Sequence, residues 1–227
     1  MRTETPLKLF STAAMLLALG LTGTDASALP FSAVELSDGI TTLVINDGDV
    51  DDMDARPGVI MVDESIGAFD LSFTVGLSNP FVGSLDLPIM QLTSVNATST
   101  SAGDLSVKLT STGLTGPVPT GFALLEVGGT TNGSIDFAAY VDDTDAPFGE
   151  GVLAASTPSF SGGSFSDTDS SLLPLTDPYS ATIIANISHT GAGVTGFDAQ
   201  LTIPEPGSAV LFGLGVAGLA ARRRRRA

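Results

Sequence analysis

The chain is predicted to be all-β, a single antiparallel β-sandwich of Greek-key or jelly-roll type, and three observations predict it. Apolar residues alternate at period two through most of the body. Turn signals such as Ser78-Asn79-Pro80, Asn132-Gly133, Gly162-Gly163 and Asp177-Pro178 separate these runs at roughly 8–15-residue intervals. No stretch of the body carries the i, i+3, i+4 apolar pattern of an amphipathic helix.

The first element is not part of the sandwich. Arg2 and Lys8 precede an apolar run from Leu9 to Leu21, and Ala26-Ser27-Ala28 follows with small residues at Ala26 and Ala28. A short apolar run between a positive start and a small-residue site is a secretory signal peptide, here residues 1–28, cut by signal peptidase after Ala28.

The body, residues 29–202, follows. Strands are predicted from Ile40 to Ile45 and Gly58 to Val62, and through Phe69, Leu71, Phe73 and Val75, which share one face. Further strands run from Ile89 to Ala97, through Leu105, Val107 and Leu109, and from Phe122 to Val127. Ile135, Phe137, Ala139 and Val141 alternate again beyond Asn132-Gly133, which reads as a turn between strands. Ser159 to Ser171 is rich in Gly, Ser and Asp and reads as a surface loop or edge hairpin. The β-branched stretch from Ala181 to Ile187 reads as a central strand, and Phe197, Ala199, Leu201 and Ile203 form the last one.

Residues 203–227 form the third part. Ile203-Pro204-Glu205-Pro206 precedes an uncharged apolar run from Gly207 to Ala221, and five arginines, Arg222, Arg223, Arg224, Arg225 and Arg226, close it. The run is about 22 Å long as a helix, short for the ~30 Å hydrocarbon core, though arginines can snorkel at its end. The arginines stay cytoplasmic by the positive-inside rule, which puts the body across the inner membrane.

Composition narrows what the body can do. Between the two ends stand 22 of the 25 acidic residues against only Arg56 and Lys108. Such a surface repels nucleic acid and anionic lipid. The absence of cysteine excludes disulfides and thiolate chemistry, and the single histidine, His189, makes a zinc site a poor expectation.

Two acidic groups are the candidate cation ligands. Asp47, Asp49 and Asp51 alternate as at the start of a calcium loop, where hard oxygens converge on one ion. The pattern is incomplete, with Asp52 at the glycine position and Gly58 at the glutamate position. Asp142, Asp143 and Asp145 form the second group; brought together the two could share Ca2+, and apart each is a solvated acidic turn. No other cofactor is expected. Catalysis is not expected either: there is no G-x-S-x-G elbow, and His189 reads as a surface or hydrogen-bonded residue.

The C-terminal order of Pro204, Glu205 and Pro206, a Gly-rich apolar segment and a terminal arginine run resembles the PEP-CTERM sorting signal. Gly207 stands where Ser or Thr often follows the motif, with Ser208 next. The resemblance implies recognition by an exosortase, a membrane-embedded cysteine transpeptidase, in a bacterium with a Gram-negative-type envelope. It also implies removal of the tail near Pro-Glu-Pro, so the inner membrane holds the protein only transiently. The segments Leu92–Asn96 and Gly191–Ala199 are similar to an uncharacterised group of such proteins and bring no known activity. The resulting expectation is an exported protein of the cell surface or extracellular matrix with a structural or adhesive role. A calcium-assisted carbohydrate-binding module of the extracellular polysaccharide is the alternative, and a polysaccharide-active enzyme the third reading.

Overall fold

The computed structural model describes residues 30–204. The expected signal peptide with Ala26 and Ala28, and the tail from Glu205 through Arg226, lie outside these described residues. Eleven strands form among them: β1 (Ser32–Ser37), β2 (Thr42–Asn46), β3 (Val59–Ile66), β4 (Phe69–Leu77), β5 (Ile89–Ser99) and β6 (Gly103–Leu114). They continue with β7 (Thr120–Asp142), β8 (Val152–Ser156), β9 (Phe160–Pro174), β10 (Tyr179–His189) and β11 (Gly193–Thr202). The described body is all-β, and every pairing is antiparallel.

The strands make one hydrogen-bonded sheet in the order β2-β1-β6-β10-β7-β11-β5-β4-β3, with β8 and β9 on the other edge of β7. Its registers show how it becomes a sandwich. The first half of β7 (124–131) pairs with β11 and the second half (134–142) with β10. On its opposite edge the first half pairs with β9 and the second with β8. β5 and β6 repeat the split, β5 against β11 and β6 against β10. Four strand paths therefore cross one line, at 99–103, 131–134, 156–160 and 189–193, and the sheet doubles over along it. One half is β2-β1-β6-β10-β7-β8 and the other β3-β4-β5-β11-β7-β9. β1 approaches β3 and β4 approaches β6 across a single core.

This layout corrects two local expectations. Asn132-Gly133 does not reverse the chain: β7 runs through it as one strand, with the register against β9 shifting between Thr131 and Ser134. A hairpin turn needs its two arms to pair with each other, and here each arm already has two other partners. The Ser159–Ser171 segment is a 15-residue strand, β9, because the long first half of β7 offers an unpaired edge. Backbone bonds to that edge outweigh the weak strand propensity of Gly, Ser and Asp. Short β1 and β8 carried too little alternation to be seen in the sequence.

Alternation explains the core. On β11, Thr195, Phe197, Ala199 and Leu201 point inward and are buried, while Val194, Asp198 and their neighbours face out. Leu105, Val107 and Leu109 do the same on β6, and Ile135, Phe137, Ala139 and Val141 on β7. Phenylalanines wedge the inside of the fold line. Phe137 meets Phe197 edge-on at 5.1 Å and Phe165 at 5.9 Å, and Phe160 stacks on Phe165 at 4.8 Å.

Gly133 is where the fold line tolerates no side chain: a Cβ there would overlap the Ser188 carbonyl oxygen and His189 Cδ2. Gly162, also beside the line, has a φ of +62° but nothing within 4 Å of a built Cβ. Gly133→Ala should therefore cost about 2–4 kcal/mol in urea unfolding, as overpacking against backbone, and Gly162→Ala only about 1–2 kcal/mol of backbone strain. Equal losses would show that the contact at Gly133 does not control the bend.

Candidate functional site

The two acidic groups sit at the end of the sandwich away from the fold line, and of the six candidate ligands Asp47, Asp142 and Asp145 accept from backbone amides. Asp47 Oδ2 accepts from Gly58 N at 2.7 Å. Asp52 Oδ1 accepts from Met61 N at 2.9 Å and Asp54 N at 3.0 Å, and Oδ2 from Gly48 N at 3.0 Å. Met53 N completes the pattern by donating to Met61 O. The 47–54 loop thus covers the outer edge of β3, which otherwise presents unpaired groups for edge-to-edge association. Asp49 accepts from Asn46 Nδ2. Asp54 grips Arg56 through both carboxylate oxygens, and these bonds hold its carboxyl at about 2. Burial pushes the Asp47 carboxyl up, opposed by its bond from Gly58 N–H.

The 142–150 loop covers the outer face of β6 and β10. Asp145 Oδ1 accepts from Gly113 N at 2.7 Å, Asp142 Oδ1 from Thr144 N at 2.7 Å. Ser180 Oγ donates to Ala146 O, and Phe148 N donates to Thr110 Oγ1. Lys108 Nζ ties the loop down, 3.1 Å from Glu150 and 3.4 Å from Glu35. Among the described residues no three carboxylates or imidazoles converge as a metal site, so Asp47, Asp49 and Asp51 are not brought together with Asp142, Asp143 and Asp145.

His189 lies at the fold line, 3% exposed, with the Phe69 ring 5.3 Å away. Its Nδ1 is 2.6 Å from Ser99 Oγ, and its Nε2 2.8 Å from Thr195 Oγ1. Thr195 Oγ1 is 2.7 Å from Thr131 Oγ1, which accepts from Gly133 N. Ser99 Oγ donates to the Gly191 carbonyl, which can only accept. Ser99 must then accept from Nδ1–H, a neutral ring must accept at Nε2 from Thr195, and Thr195 must accept from Thr131. The chain of protons is complete with one neutral tautomer. Burial pushes the imidazole below its ordinary value. A buried Ser–His contact resembles half of a catalytic pair, but Ser99 is also 3% exposed and its proton is committed to Gly191.

The open chemistry is on the outer face of the half containing β11. Two contiguous depressions of about 490 and 530 Å³ meet at Asp198. β5 bulges there, placing Thr93 and Ser94 opposite Asp198 alone. Asp198 Oδ1 accepts from Thr93 Oγ1 at 2.7 Å and Ser94 N at 2.8 Å, while Ser94 takes a φ of 55°. Gly128 and Gly196 leave the floor without side chains. Gln91 donates to Gln200, and Gln200 to Thr202, forming an amide ladder along one wall, with Glu126 opposite Gln200 on β7. Asp198 was missed in the sequence because nothing local marks the bulge; the paired glycines Gly128-Gly129 were the available signal.

A family model described as the PEP-CTERM protein-sorting motif matches residues 202–226. The chain therefore carries a PEP-CTERM sorting motif, which implies export, exosortase processing and transient membrane anchoring through the tail. No curated protein sequence matches the chain. Among solved structures it is similar to the enzymatically active domain of tailspike protein 4 of Bacteriophage CBA120, at 14% identity and a TM-score of 0.30, over 59% of this chain and 19% of that one. It is also similar to isomalto-dextranase of Arthrobacter globiformis T6, complexed with panose, at 11% identity and a TM-score of 0.22, over 63% and 21%. The chain spans about a fifth of the length of each, and neither superposition is close enough to carry a property across.

Asp52→Ala should destabilise by about 1–3 kcal/mol, with or without chelator, because three backbone amides lose a charged acceptor. A loss that appears only after calcium removal would mean the loop holds an ion instead. For His189, the folded pKa is lowered, so the unfolded chain binds the proton more readily. Its contribution is full above the unfolded value of about 6.5 and declines as pH falls through it toward the folded value. Denaturation at pH 7.5 and 5.0 should show a larger loss for the native protein than for His189→Gln, by up to about 1.4 kcal/mol per pH unit. Identical pH slopes would show that His189 does not titrate in unfolding.

Proposed function

We propose that the protein is a non-catalytic component of the cell surface or extracellular matrix, held in place by binding a neutral polysaccharide along the trough centred on Asp198. The oriented Asp198 carboxylate above a glycine floor carries this reading. Asp198 Oδ1 is fixed by Thr93 and Ser94, so the group is held in place before a ligand arrives. Amides and hydroxyls from Gln91, Gln200, Asn96 and Thr130 line the depressions, in the mix of donors and acceptors that sugar hydroxyls match. Glu126 and Asp198 without a basic neighbour in the lining disfavour anionic polymers.

Support for a non-catalytic role comes from the lone imidazole, buried and hydrogen-bonded at both nitrogens. The sorting motif supports an extracytoplasmic setting in a Gram-negative-type envelope, with release from the inner membrane once the tail is removed, and Ala26-Ser27-Ala28 supports signal peptidase acting after Ala28.

The test is co-sedimentation of residues 29–204 with neutral extracellular polysaccharide from the host, with polymer length followed in parallel. Asp198→Ala should weaken retention about 10-fold or more, the worth of charged hydrogen bonds lost from one carboxylate. Asp136→Ala, on the outer face of the other half, should leave it unchanged, and the polymer should keep its length. Retention unaffected by Asp198→Ala would remove the trough from the account. Shortening of the polymer would make the protein an enzyme.

A further inference from the structure

The end of the sandwich opposite the fold line carries both chain exits and a set of exposed apolar loop residues. β1 begins and β11 ends there, and Ile203, fully buried, donates its N–H to Pro88 O at 3.0 Å. The loop it rests on holds Leu87 and Phe81, 43% and 47% exposed. The neighbouring 115–119 loop, whose Thr115 and Gly116 amides donate to Leu85 O, holds Val118 at 44%. Arg56 lies over the Phe81 ring at 5.1 Å, its side chain 60% exposed. Three apolar tips and the Asp54-paired Arg56 therefore stand around the point where the chain leaves.

Chain length turns this into a constraint. From Pro204 to the start of the apolar run at Gly207 there are three residue steps, about 10 Å at full extension. The headgroup layer on each side of the hydrocarbon core is about 5–8 Å thick. With the tail in the membrane, the body has almost no slack.

We propose that in the membrane-anchored precursor this end of the sandwich rests on the lipid headgroup layer, with Phe81, Leu87 and Val118 entering the interface and Arg56 meeting lipid phosphate. The apolar tips gain burial, and the exposed part of the guanidinium, whose Nε and Nη2 are already held by Asp54, adds a phosphate partner. The carboxylates at this end, Asp86 and Asp177 together with those of the 47–54 and 142–150 loops, disfavour anionic lipid and make a zwitterionic surface the favoured one. Exosortase then meets the Pro204 segment at the membrane surface, and the loops 78–88 and 115–119 border its approach. This surface is independent of the Asp198 trough and rests only on the tail being membrane-held.

The test uses the full chain inserted by its own tail in phosphatidylcholine vesicles. The absence of native cysteine lets Phe81→Cys, Leu87→Cys, Val118→Cys and, beside the fold line, Val194→Cys each carry one fluorescent label. Headgroup-region spin-labelled lipid should quench the first three at least threefold more strongly than the fourth. Equal quenching at all four positions overturns the proposal. Shielding that follows protein density and ignores the lipid quencher would assign the surface to a second copy, and also overturns it. Hydrogen exchange on the unsubstituted protein provides the check free of substitution. Amides of 78–88 and 115–119 should exchange more slowly in vesicles than after the body is cut free, and unchanged rates would count against contact.

Discussion

Everything in this fold depends on bending four antiparallel strand paths together along one line. A sheet twists readily but folds double only where its backbone can approach itself and its broken ladder bonds find other partners. Gly133 supplies the close approach, its missing side chain making room for the Ser188 carbonyl. The ladder is interrupted between 131 and 134 and between 189 and 193, and the buried chain Thr131–Thr195–His189–Ser99 fills that gap. The phenylalanines sit inside the same bend, where each close pair adds about 0.5–1.5 kcal/mol beyond burial. The one histidine is thus a strut of the corner, with both ring nitrogens needed there.

Doubling the sheet gives the two ends different characters. The fold-line end is closed by continuous strands and short links, so it has little room for loops. The longer connections gather at the opposite end: 47–58, 78–88, 115–119 and 143–151. Two of them, 47–58 and 143–151, are acidic because they also protect edges and faces. Carboxylates can satisfy several backbone amides at once and repel other chains. Asp47 and Asp52 do this for β3, and Asp145 for Gly113 near the end of β6. The large negative charge of the body is thereby partly structural, carried by groups oriented toward their own backbone.

The alternating runs were legible because period two survives whatever partner a strand finds: β4, β6, β10 and β11 sit where their apolar faces placed them. The fold line was not legible. Asn132-Gly133 has the same local chemistry whether a chain turns back or bends within a strand, and only distant partners decide between the two. β9 was hidden for a related reason, since its pairing with β7 is a property of β7's edge more than of its own residues. The acidic loops showed their composition but not the direction of their oxygens. His189 was readable as non-catalytic but not as buried, because Ser99, Thr131 and Thr195 of its hydrogen-bonded chain are common residue types, separated from one another by 32 to 96 positions in sequence.

The position of the last strands ties folding to sorting. β10 and β11 are the final strands made, yet they occupy the middle of the sheet, β10 between β6 and β7 and β11 between β7 and β5. Until they arrive, β5 and β6 have no neighbours on that side and the corner lacks His189 and Thr195. Such long-range pairing closes late. Ile203 completes the core, and Pro204-Glu205-Pro206 begins at the next residue. The chain therefore delivers its last core residue across the membrane at nearly the same point at which its tail is to be held there. An intact sheet buries Ile203 and presents Pro204 at its surface, so the segment exposed for processing is the one next to a finished body.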